Sequence, residues 1–119
     1  MLFRSLAAET EAEAERLFQS RALARMLRDR GVFAPLMSPE EAAAQITSDS
    51  DKMRLEKIRE RHIFGTPSQV AAKLRALGES LGVEEIALLT TTHDPEARRR
   101  SYTLLAREFG MVSADAAAA

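Results

Sequence analysis

Cysteine and tryptophan are absent from this 119-residue chain, and there is only one tyrosine. Without cysteine there are no disulfides and no thiolate metal sites, and two isolated histidines make a poor metal cluster. No apolar run approaches the ~18 residues of a membrane span, and no signal peptide precedes a cleavage site. The chain is therefore expected to be soluble and cytoplasmic. Charge of one sign is also lacking: 17 Lys and Arg stand against 18 Asp and Glu, for a net charge of −1. Affinity for polyanions needs an excess of cations to neutralise phosphates, so neither nucleic acid nor a membrane is an expected partner. Large apolar side chains are few as well. Hydrophobic residues make up 45%, but 21 of them are alanine, which leaves less apolar surface to bury than the percentage suggests.

What is present is clear punctuation. A helix leaves its first backbone N–H groups unpaired, and a short polar side chain can accept from them. Thr10 with Glu13, Ser38 with Glu41, and Thr66 with Gln69 have the spacing of a capping box, and Asp94 is a fourth cap. Pro39, Pro67 and Pro95 each follow a cap directly, where a missing N–H costs nothing and the fixed φ suits the first helical residue.

These signals predict helices over residues 11–30, 39–45, 67–81 and 95–109, with a weaker one over 52–61. The first carries Ala14, Leu17, Phe18, Leu23, Met26 and Leu27 as a broad apolar side. Glutamates lead it and Arg21, Arg25, Arg28 and Arg30 trail, matching the helix dipole at both ends. The fourth repeats Val70, Leu74, Leu77 and Leu81 on one face, and Gly82 is its expected left-handed terminator. Residues 28–61, rich in charge and poor in bulk, read as a surface excursion, and residues 111–119 as a disordered tail. Residues 1–5, Met-Leu-Phe-Arg-Ser, match one frame of a common sequencing adaptor and read as a non-native leader.

Residues 85–92, Glu-Ile-Ala-Leu-Leu-Thr-Thr-Thr, form the one clear strand, apolar at four consecutive positions and so expected to be buried on both faces. Its neighbours would be Ile63-Phe64 and the stretch from Leu2 to Ala8. A buried strand left half unpaired would lose on the order of 5 to 15 kcal/mol at roughly 1 to 3 kcal/mol per group, the whole stability of a domain. The alternation of strand and helix is that of an α/β protein. A (β/α)8 TIM barrel needs about 250 residues and this chain is about half of one, so the spacing leads to the C-terminal end of a larger α/β fold, mostly helical, whose missing N-terminal half, or self-association, completes the sheet.

Three stretches carry a resemblance. Residues 8–17, Ala-Glu-Thr-Glu-Ala-Glu-Ala-Glu-Arg-Leu, then Gly65-Thr66-Pro67-Ser68-Gln69-Val70, and above all residues 84–102, with Thr90-Thr91-Thr92-His93-Asp94-Pro95-Glu96-Ala97-Arg98-Arg99-Arg100-Ser101-Tyr102 at their centre, resemble the C-terminal part of luciferase-like flavin-dependent monooxygenases. The resemblance covers residues 6 to about 110. It implies the C-terminal fragment of a (β/α)8 TIM-barrel oxidoreductase using reduced FMN, or a deazaflavin in some branches, on a small organic substrate. The strands that hold most flavin contacts in that family have no match here, so the chain by itself is expected to be inactive.

In such a barrel, chemistry sits at the C-terminal ends of the strands, and Thr90 to His93 occupy that end. Thr92 and His93 are the candidate cofactor-binding residues, through a hydroxyl and a ring with an ordinary pKa near 6.5. The plainer reading is that threonines suit a strand, Asp94 caps the next helix and His93 lies on the surface. His62, set among charges, is expected to be exposed. The Arg98-Arg99-Arg100 run spreads around a helix and reads as a solvated face. Two alternatives stand beside the monooxygenase: a non-catalytic helical interaction module in which 84–92 is a helix or an intermolecular strand, and a deazaflavin-dependent dehydrogenase of the same family.

Overall fold

The computed structural model describes residues 2–111 of the chain; the expected tail, Met111 apart, lies outside the described residues. Three strands and five helices follow one another as β1 (Leu2–Ala7), α1 (Glu11–Asp29), α2 (Pro39–Gln45), α3 (Asp49–Glu60), β2 (Ile63–Gly65), α4 (Pro67–Leu81), β3 (Ala87–Leu89) and α5 (Pro95–Glu108).

The four caps act as their spacing predicts. Thr10 accepts from the Glu13 N–H, Ser38 from Glu41, Thr66 from Gln69, and Asp94 from Glu96. Among the three predicted boxes, Thr66 and Gln69 form the reciprocal pair with side chains bonded both ways. Glu13 turns instead to Arg16, at 2.8 Å. α3 begins three residues earlier than expected because Ser48 caps it, accepting from Asp51 at 3.1 Å. Gly82 ends α4 at φ 65°, a conformation that costs a side-chain-bearing residue but not glycine.

All three strands are parallel. The C-terminal half of β1 pairs with β2, Ser5 opposite Ile63 and Ala7 opposite Gly65, and its N-terminal half pairs with β3, Leu2 opposite Ala87 and Arg4 opposite Leu89. The order across the sheet is β2-β1-β3. Successive β1 side chains point to opposite faces. Leu6 and Ala8 accordingly join a core with Leu17, Phe18, Leu23 and Met26 of α1, Ala42 of α2 and Ile58 of α3. Ala7 joins a second core with Val70 and Leu74 of α4 and Leu105 of α5.

This arrangement corrects the TIM-barrel expectation. A (β/α)8 barrel keeps its strands in chain order and all its helices on the outer face. Here β1 lies between β2 and β3, and helices cover both faces, as in open doubly wound sheets. The chain is a small α/β unit with a three-stranded parallel sheet. Residues 85–92 do not form a long strand buried on both faces either. Only Ala87–Leu89 pair, on one side; Ala87 is exposed and Leu88 and Leu89 are half-buried. Water reaches an edge strand, so its outer backbone groups do not incur the penalty of a buried one.

Residues 28–61 are more firmly held than a surface excursion. Ala42 and Ile58 are buried in the α1 core, and ion pairs from Arg30 to Asp51 (2.5 Å), Arg54 to Asp29 (2.6 Å) and Arg59 to Glu15 (2.6 Å) tie α3 to α1. Residues 2–5 lie in β1, the central strand. Among the described residues, no helix is long and apolar enough to cross a membrane.

Candidate functional site

Because the strands are parallel, Ala7, Gly65 and Leu89 all end on one side of the sheet, and α1, α4 and α5 all start there. That edge is where open α/β sheets place their ligands. At Gly65, a Cβ would stand 2.5 Å from the Gln69 side-chain oxygen, which is held there by the Thr66 N–H at 3.0 Å. The glycine therefore lets the capping box of α4 close against the end of β2.

Thr90, just past β3, gathers most of the hydrogen bonds at this edge and is 1% exposed. Its hydroxyl donates to the Ser5 carbonyl at 2.8 Å, its N–H donates to the Tyr102 hydroxyl at 2.9 Å, and its carbonyl accepts from Arg98 Nε at 3.0 Å. Arg98 also lies over the Tyr102 ring, 5.5 Å from its centroid. Burial pushes the Tyr102 phenol up, but the Thr90 hydrogen bond and the Arg98 guanidinium outweigh it and hold the phenol below its ordinary value. Ser101, fully buried, accepts from the Ala7 N–H at 2.9 Å. Consecutive residues of α5 thus grip β1 and β3, which explains the polar residues inside the Thr90 to Tyr102 stretch.

The two candidate residues from the sequence lie just outside this network. The Thr92 hydroxyl donates to the Asp94 carbonyl at 2.6 Å, so it shapes the turn into α5. His93 is exposed beside it. The three arginines of α5 part company: Arg98 reaches Thr90, Arg99 pairs with Glu96, and Arg100 crosses to Glu9 at 2.5 Å. Among the described residues, no three His, Asp or Glu side chains converge as metal ligands.

A second polar region lies on the α1 side of the sheet, and its key residue was not singled out as a site by the sequence. Arg21 is only 7% exposed, yet its Nε and Nη2 have no hydrogen-bond partner. The signal was present: Arg21 follows Phe18 by three, Leu17 by four and Ala14 by seven, so it falls in the middle of the apolar face of α1. Burial, with the charges of Arg4, Arg28 and Arg25 around it, lowers its pKa from the usual arginine value. His62 is half-buried rather than exposed, with Nδ1 2.7 Å from the Ile58 carbonyl and its ring 5.4 Å from that of Phe18. Burial depresses its pKa; the Ile58 carbonyl opposes this, and Arg21, Arg25 and Arg4 reinforce it.

No protein-family model matches the chain. It is 35% identical over 104 residues to the uncharacterized protein YceB of Bacillus subtilis, a match covering 87% of this chain and 31% of YceB. It is 34% identical over 105 residues to the uncharacterized protein YwcH of the same organism, covering 87% of this chain and 32% of YwcH. The crystal structure of apo-MsnO8 contains a similar arrangement, with a TM-score of 0.80 and 27% identity over 93% of this chain and 34% of that one. The chain spans about a third of the length of the curated relatives it matches.

Proposed function

We propose that the chain is a segment of a luciferase-like flavin-dependent monooxygenase or related oxidoreductase and has no activity by itself. The observation that carries this reading is the fold of the Thr90 to Tyr102 stretch, the part of the sequence that most resembles that family. Its buried bonds to Ser5 and Ala7 fasten α5 to the strand ends of a parallel sheet, with Thr92 and His93 in the turn between them.

The same edge does not make a flavin site without other parts. One leading N–H in each of α1, α4 and α5 is bonded to Thr10, Thr66 or Asp94, and Pro67 and Pro95 remove another from α4 and α5, so fewer are left for a phosphate. Glu9, Glu11, Asp94 and Glu96 bring negative charge to the same side, and Arg100 is already engaged with Glu9. An anionic cofactor would be repelled here unless further chain supplied donors. Matches to about a third of longer relatives support a role as one part of a larger site, whose flavin is reduced FMN or, in the alternative, a deazaflavin. The helical-module alternative required 84–92 to be a helix or to pair between molecules, and Ala87–Leu89 instead pair in parallel with β1 of the same chain.

The test is a flavin titration of this chain and of purified YceB, followed by fluorescence. YceB should bind FMN or a deazaflavin saturably in the micromolar range, and this chain should bind neither. A YceB preparation that binds no flavin would overturn the family reading. Saturable binding by the isolated chain would overturn its dependence on other parts.

A further inference from the structure

Between α1 and the sheet, over β1 and bounded by His62 on one side and Leu89 and Thr91 on the other, lies a small depression lined also by Arg4, Phe18 and Arg21. It is on the face of the sheet that carries Leu6, away from the α5 network. Burying the donors of a guanidinium is costly unless they are paired, and Arg21 is more than nine-tenths buried with two unpartnered nitrogens. Those nitrogens are Nε and Nη2, the side of the guanidinium whose two N–H bonds run parallel and match two oxygens of a carboxylate or phosphoryl group. No carboxylate among the described residues pairs with Arg21, Arg4 or Arg28. The acidic side chains of α1 on either side of Arg21 are engaged elsewhere, Glu15 by Arg59 at 2.6 Å and Asp29 by Arg25 at 3.3 Å and Arg54 at 2.6 Å.

We propose that this depression is an oxyanion-binding site in which Arg21 grips the anion through its Nε and Nη2 edge while Arg4 supplies charge at the mouth. The site stands independently of the flavin reading. Its free volume is ≈ 20 Å³, close to that of a single water-sized position. Only the leading oxygen edge of a terminal carboxylate or phosphoryl group enters, and the rest of a small organic anion lies outside along Leu89 and Thr91. Arg4 is exposed and Arg21 buried, so charge draws the anion to the opening and the fixed fork orients it within. His62, neutral when the site is free, senses the occupant: an anion offsets the cations that face the ring, Arg4 from β1 and Arg21 and Arg25 from α1. Asp29, Arg54, Lys57 and Arg61 surround the cavity on the other side of the ring and are unchanged by the occupant.

Thermal unfolding and calorimetric titration of the full chain with sodium phosphate, sodium acetate and sodium chloride at matched ionic strength test the site. Phosphate, acetate or both should raise the Tm saturably above the chloride control, and which of them does so tells a phosphoryl from a carboxylate ligand. Arg21→Met should lose the response, Arg4→Ala should weaken it several-fold, and the NMR-monitored His62 pKa should move up on saturation in the wild type only. A wild-type chain that responds to neither oxyanion beyond chloride would overturn the proposal. So would an Arg21→Met chain that keeps the response. If Arg21→Met does not fold, an unchanged affinity in Arg4→Ala together with a His62 pKa insensitive to the anion overturns it equally.

Discussion

Two polar regions on this small sheet differ in one respect. At the strand ends, Thr90 uses its hydroxyl, N–H and carbonyl, Ser101 receives the Ala7 N–H, and Tyr102 receives that of Thr90. Beside α1, Arg21 is also buried and two of its nitrogens have no partner. Buried polar groups that satisfy one another rigidify a structure, whereas an unsatisfied one raises the free energy of the fold until something pairs with it. The strand-end network accordingly fastens α5 to β1 and β3, whereas Arg21 beside α1 keeps two donors without an acceptor.

Substitutions that remove buried polar groups should therefore have opposite signs in the two regions. The largest effect is expected for Ser101→Val, which leaves the buried Ala7 N–H without its acceptor. Chemical denaturation should show a loss of about 1 to 3 kcal/mol. A loss below that range would mean that water replaces the serine and that the network is less closed than its burial indicates.

Arg21→Met keeps most of the aliphatic stem and removes the charge. Its stability in chloride buffer should equal or exceed that of the wild type, because the arginine contributes burial cost without a pairing gain. Marked destabilisation would show that Arg21 is structurally paired and that the contrast between the two regions is false.

The smallest effect concerns pH. The His62 pKa is lowered on folding from its ordinary 6.5, so below 6.5 the unfolded chain binds more protons than the folded one. Stability attributable to His62 is complete above about 6.5 and declines as pH falls from there to the folded-state value. His62→Gln should remove this part of the acid sensitivity, measured as Tm against pH, and saturating oxyanion should shrink it in the wild type. A wild-type slope identical to that of His62→Gln would remove His62 from the group of residues that sense charge in the depression.

What could be read from residues alone was local. Helix starts at Thr10, Ser38, Thr66 and Asp94 and the stop at Gly82 follow from hydrogen bonds spanning three or four residues, and these depend little on the rest of the chain. α2 and α4 have the predicted limits for that reason, and Ile63-Phe64 and Leu2 to Ala8 were identifiable as strands, although of the two only Leu2–Ala7 neighbours the last strand. The order of those strands was not. An apolar run such as Ile86 to Leu89 looks the same whether it sits at the centre of a barrel wall or at the edge of an open sheet, because burial depends on what packs against it. Only the tertiary structure places β1 between β2 and β3, with helices on both faces. It likewise turns Thr92 into part of a turn and draws His62 inward. Arg21 shows the division most clearly: helical periodicity puts it on the apolar face of α1, but that it is buried without a partner is decided by β1, β3 and His62, which reach it from elsewhere in the chain.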